Sequence, residues 1–165
     1  MRRTADSATP VPAGSQRQAV RKALELLARR PRTEAQLRTA LARQVEPEHL
    51  GPAVARLRSL GYLDDAVWAR DYVASGRARG RSAALLRREL LANGVPGEDV
   101  ASAVEAHDDA AAALEAAHRR LRALTGLDPA RRARRLRDHL ARRGFGPSVV
   151  EATLRRVLDG NESAG

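Results

Sequence analysis

Residues 82–104 read SAALLRRELLANGVPGEDVASAV, and residues 132–154 read RARRLRDHLARRGFGPSVVEATL. Set fifty positions apart, they place Leu86, Leu90, Val95, Val100 and Val104 over Leu136, Leu140, Phe145, Val150 and Leu154, with Gly94 over Gly144. A third copy lies upstream as Leu37, Leu41, Val45, Leu50 and Val54, one residue shorter at the glycine position. Self-similarity at this period marks an array of modules, each too small to bury a comfortable core alone. An array spreads a long surface instead of enclosing one deep pocket, so binding is expected before catalysis.

Within each copy the four-residue spacing puts the first two apolar residues on one helical face, and a tight turn leads into a second helix. Gly94 and Gly144 are expected in the left-handed conformation that ends a helix, with Val95 and Phe145 tucked back onto it. The first copy has Arg43-Gln44-Val45 at this point, so its turn should differ. Thr33, Ser82 and the Asp128-Pro129 pair read as helix starts, and Pro47 belongs in a first turn. A further helix precedes each pair. Val20, Leu24 and Leu27 mark the first, which ends before Pro31, and Gly61 closes the first module. The second begins at Asp64 with Trp68, Tyr72 and Val73 on one face, and Gly80 breaks it. The third begins about Asp108 with Leu114, Ala117, Leu121 and Leu124 on one face, and Gly126 stops it.

The expected fold is all-α, three tandem three-helix modules forming an elongated, curved repeat protein. Modules are placed at residues 16–62, 63–107 and 108–159, with tails at 1–15 and 160–165, where Gly, Ser, Pro and Asn leave little to bury. Ala, Leu, Arg and Glu dominate the chain and favour helix throughout.

Net charge is +10 with a pI near 11.4, which calls for an acidic partner such as nucleic acid or an acidic protein surface. Every basic residue but Lys22 is arginine, and with the abundant alanine this reflects in part a GC-rich coding composition. Cysteine is absent, which rules out disulfides and thiolate metal sites. No apolar run reaches the length needed to span a bilayer, and the first fifteen residues lack the apolar segment of a signal peptide, so a cytoplasmic location is expected.

His49, His107, His118 and His139 are scattered and read as solvated or capping residues; no metal or cofactor is expected. No Gly-rich turn leads from a strand into a Lys-Ser or Lys-Thr pair, so ATP hydrolysis is not expected either. Asp64 with Asp65, and Asp108 with Asp109, are carboxylate pairs, but each opens a helix, where capping or a contact between modules accounts for them better than catalysis.

The arginines remain. Arg131, Arg134, Arg135 and Arg142 lie on or near the face opposite Leu136 and Leu140, interrupted by Asp138, while Arg77, Arg79 and Arg81 surround Gly80, where guanidinium groups and a helix N-terminus could converge on a phosphate or carboxylate. Arg87 and Arg88 continue from that loop, and Arg29, Arg30 and Arg32 stand similarly in the first module. Tyr62, Trp68, Tyr72 and Phe145 all fall where core or turn packing would use them, so contacts to a nucleic-acid backbone are favoured over base stacking.

With these elements in place, the chain from about Gln16 to Leu158 resembles the RecX family of regulatory proteins. The resemblance rests on Gly61-Tyr62-Leu63-Asp64-Asp65 followed by Trp68, Ala69, Tyr72 and Val73, and on the basic loop Arg77 to Arg81. Arg88-Glu89-Leu90, Gly94-Val95 and the late Arg142 to Phe145 turn complete it. It implies a small curved protein that binds the RecA recombinase, particularly its filament on single-stranded DNA; the basic modular body adds the expectation of direct DNA phosphate contacts, and a monomer is expected. It further implies repression of ATPase and strand exchange, with no catalytic residue, small-molecule substrate or membrane. A winged-helix DNA-binding transcriptional regulator is the rival, since Thr33 to Leu63 resembles a helix-turn-helix, but Asp64 to Val73 reads as helix where a wing needs a β-hairpin. A nuclease would need the clustered carboxylates or histidines that the sequence does not offer.

Overall fold

The computed structural model describes residues 13–162, with side chains from Ser15 to Leu158. Among these residues there are nine helices and no strand: α1 (Ala13–Arg29), α2 (Glu34–Leu41), α3 (Pro47–Ser59), α4 (Asp65–Ala74), α5 (Ala83–Ala92), α6 (Gly97–Val104), α7 (Asp109–Leu121), α8 (Pro129–Arg142) and α9 (Pro147–Glu162). They form three triplets, each with its own buried cluster. The chain divides into two compact units, one ending at Asp65 and the other beginning at Ala66. Helices α1 and α9 take up residues 13–15 and 160–162, which were expected in tails, because a helix whose inner turns are anchored propagates at little cost. The rest of both expected tails lies outside the described residues.

In the first unit α1 to α3 close around Ala19, Ala23, Leu26, Leu37, Leu41, Ala53, Val54, Leu57 and Leu63. The inward stripe of α1 is Ala19, Ala23 and Leu26, not the expected Val20, Leu24 and Leu27, which are only partly buried. Alanine on the central line lets α1 approach α3 closely, and the larger side chains fill the margins. Thr33 caps α2 by accepting the Gln36 N–H at 3.1 Å.

Three helix ends share one turn. At Gly61, Gly94 and Gly144 φ is +76°, +81° and +85°. The amide after each glycine donates back to the carbonyl five residues earlier: Tyr62 to Leu57, Val95 to Leu90 and Phe145 to Leu140. Val95 and Phe145 are buried as expected, but Tyr62 is 58% exposed, so its ring is used neither by the core nor by the turn. The turn after α2 has no glycine, and there Val45 donates to Leu41 in ordinary helical register.

The second unit holds α4 to α6 around Ala69, Ala78, Leu86, Leu90, Val95, Val100 and Val104, and α7 to α9 around Ala113, Ala116, Ala117, Leu136, Leu140, Phe145, Val150, Leu154 and Val157. Two helices differ from expectation here. Helix α4 stops at Ala74, six residues before Gly80, and residues 75–80 run on as turns that bury Ala78. Helix α7 faces inward with Ala113, Ala116 and Ala117, while Leu114 and Leu121 are partly buried and Leu124 is buried beyond the helix end.

Candidate nucleic-acid and protein interface

The basic loop around Gly80 is built into the joint between the second and third triplets. Gly80 is buried with φ +66°, and a Cβ there would meet Ala116 Cβ at 3.1 Å and Arg119 Nη2 at 2.8 Å. Arg143 donates through Nη1 to the carbonyls of Gly80 at 3.0 Å and Arg79 at 3.2 Å, and the Ser82 N–H donates to the Arg143 carbonyl at 3.0 Å. On the same joint the Ala83 N–H donates to Asp109 Oδ1 at 2.7 Å, and the His107 ring lies 2.9 Å from the Arg81 carbonyl.

The carboxylate pairs thus do two jobs. Asp108 caps its own helix through the Ala110 and Ala111 amides, whereas Asp109 reaches back to the first amide of α5, which Ser82 caps through the Leu85 N–H. Asp65 does the same in the first unit, accepting from the Glu34 N–H of α2 at 2.9 Å. The Ala83 and Leu85 amides at the start of α5 are thus taken by Asp109 and Ser82, so this helix end has fewer donors to offer an external anion than the expected convergence with Arg77, Arg79 and Arg81 assumed.

The arginines separate accordingly. Arg81 is half-buried, bonded to Glu89 at 2.5 Å and to the Tyr72 hydroxyl at 3.2 Å; burial works against its charge, but Glu89 outweighs that and raises its pKa. Tyr72 stacks on Trp68 with ring centroids 5.3 Å apart, which makes this network part of the α4–α5 packing. Arg79 is exposed and pairs with Glu115 at 3.1 Å, the acid that also faces Arg119. Arg131 pairs with Asp128 at 3.2 Å. Arg77, Arg87, Arg88, Arg134, Arg135 and Arg142 are exposed, and no ion pair among the described residues holds them. In the first unit Arg29 and Arg30 are exposed, and burial together with these two cations lowers the pKa of Arg32.

Sequence reasoning passed over Arg143 because it sits in a run of like residues; only its reach to a loop sixty-three residues away singles it out. It also changes the reading of the histidines. His139 is half-buried and accepts the Arg143 Nε–H at Nε2, 3.0 Å away, which requires the neutral ring. Burial first, then Arg143, Arg120, Arg142 and Arg119, push its pKa from 6.5 down to about 4. His49 is buried beside Glu48, His107 bonds the joint, and His118 alone of the four is plainly exposed.

A pH dependence follows. Between pH 6.5 and 4 the unfolded chain takes up a proton at residue 139 that the folded protein refuses, so stability falls as pH drops through this window and levels off below it. The ring is substantially solvent-screened, which reduces the expected loss to about 1 to 2 kcal/mol. His139→Gln keeps an acceptor without a titrating ring. The difference in stability between parent and variant, measured by urea unfolding, should therefore change between pH 7 and pH 4; a constant difference would refute the neutral assignment.

Together these features define a class: a basic, all-helical protein of tandem three-helix modules with its charge on exposed helix faces. Residues 19–65 match the RecX first three-helix domain, and residues 107–154 match the RecX third three-helix domain. The regulatory protein RecX of Thermobifida fusca is 39% identical over 141 residues, 82% of this chain and 76% of its own length. That of Mycobacterium tuberculosis is 38% identical over 153 residues, 86% of this chain and 87% of its own. The chain belongs to the RecX family of regulatory proteins. The crystal structure of RecX from Lactobacillus salivarius shares the fold with a TM-score of 0.74, covering 89% of this chain and 98% of that one at 14% identity. A second crystal structure, of a regulatory protein RecX, gives 0.72 over 84% and 71% at 24% identity. No described helix is long and apolar enough to cross a membrane.

Proposed function

We propose that the protein binds the RecA recombinase, particularly its filament on single-stranded DNA, and represses RecA ATPase and strand exchange, modulating homologous recombination and DNA repair. Membership of the RecX family carries this reading, and the exposed arginines supply the physical means: guanidinium groups outside any ion pair among the described residues are available to acidic protein surface and DNA phosphates. The modules at residues 16–62, 63–107 and 108–159 act in cytoplasm as one monomer that performs no chemistry. Inhibition needs only that the protein bind two filament states with different affinity, because a ligand shifts an equilibrium by its differential binding.

The test adds the protein to RecA during DNA-dependent ATP hydrolysis. Hydrolysis should fall at amounts of protein well below those that coat the DNA, and extra single-stranded DNA should not restore it. Full recovery with excess DNA would instead identify a competitor for DNA, the behaviour of a helix-turn-helix DNA-binding protein.

A further inference from the structure

The fifty-residue repeat makes the third triplet an internal control for the second. On α8 the exposed Arg137 is tied to Glu151 of α9, Nε to Oε1 at 2.9 Å, and Asp138 and Ala141 complete its stripe. The equivalent positions in the second triplet are Arg87, Ala101, Arg88 and Leu91. There the neutralising acid has become alanine, the aspartate has become a second arginine, and the alanine has become a leucine that is 54% exposed. Leu91 lies three and four residues from the two arginines, so the three side chains share one face of α5. The fold asks for none of this, because α8 makes the same helix and the same glycine turn with Ala141 in that place.

The composition of the face discriminates between partners. A phosphate backbone gains nothing from an aliphatic side chain, and unpaired bases stack on planar groups, so a bulky leucine beside two arginines is poorly matched to nucleic acid. It suits a protein surface, where an apolar side chain is desolvated at the centre of the contact and charged groups at its rim set orientation and on-rate. Between Arg131 and Arg142, by contrast, α8 exposes no apolar side chain larger than alanine. We infer that the Arg87, Arg88 and Leu91 face of α5 docks an acidic protein surface that offers an apolar recess ringed by carboxylates. This deepens the reading above and rests on it, with the RecA filament supplying that surface.

The test is Leu91→Ala in the full chain, the residue the third triplet carries there, measured against RecA filaments on single-stranded DNA and against the same DNA alone at one salt concentration. Filament affinity should fall about 10-fold or more, as for a central interface anchor, while affinity for DNA alone stays within about two-fold. An equal fall on DNA alone assigns the face to nucleic acid and overturns the inference, and so does no fall on either. Both results leave the RecA reading standing, provided the parent binds filaments; a parent that does not bind them overturns both.

Discussion

Replacing Gly144 with alanine is expected to destabilise the second unit by about 2 to 5 kcal/mol. Two terms contribute. The residue holds φ +85°, where a side chain costs about 1 to 2 kcal/mol. A Cβ would also lie 2.5 Å from Ser82 Oγ and 2.9 Å from Leu85 Cβ, and such overpacking adds about 1 to 3 kcal/mol. Gly126 is the matched control, since it holds the same φ of +85° in the same unit with nothing within 4 Å of its would-be Cβ. Gly126→Ala should therefore cost only about 1 to 2 kcal/mol, the backbone term alone. For a chain of this size the Gly144 variant should melt on the order of 10 °C below the parent, and the Gly126 variant a few degrees below. Equal melting temperatures for the two variants would mean that α5 does not pack on the α8 turn as described.

That joint shows where the sequence could be read and where it could not. Leu86, Leu90, Leu136 and Leu140 are all fully buried, and Thr33, Ser82, Asp108 and Asp128 all cap, because large apolar residues and short polar caps act within one or two helical turns of themselves. Alanine carries almost no such signal. Ala19 with Ala23, and Ala113 with Ala116 and Ala117, form the inward lines of α1 and α7, while the more conspicuous leucines fill their edges. Gly80 was legible as a breaker, but not as the point where Ala116 presses on the backbone, since nothing local distinguishes a buried turn from an exposed one.

The arginines were legible as a population and not as individuals. A guanidinium on a helix face looks the same in sequence whether it meets solvent, as at Arg134, or an acid from another element, as with Arg137 and Glu151. Arg81 belongs by sequence to an exposed loop, yet Glu89 and Tyr72 hold it half-buried, so substituting it would test packing as much as binding. Tyr62 departs in the other direction: the rule that a residue following the helix-ending glycine tucks inward holds for Val95 and Phe145 but not for it.

These assignments select the variant with the largest expected effect on binding to nucleic acid: Arg134→Ala, Arg135→Ala and Arg142→Ala combined. All three side chains are exposed on α8 outside any ion pair among the described residues, and alanine is the better helix former, so helical content and melting temperature should hold. Each phosphate neutralised on single-stranded DNA adds about 0.7 to the slope of log affinity against log salt. Removing three guanidinium groups that each neutralise one phosphate should flatten the slope by about two units and weaken DNA binding about 100-fold at roughly 0.1 M salt. Arg143→Ala provides the opposite pattern, because that side chain is bonded to the Arg79 and Gly80 carbonyls: melting temperature should fall and the slope should hold. A triple variant with the parent's slope would place the phosphate-binding surface elsewhere, with exposed Arg77 and the Arg29 to Arg32 loop of the first unit next in line.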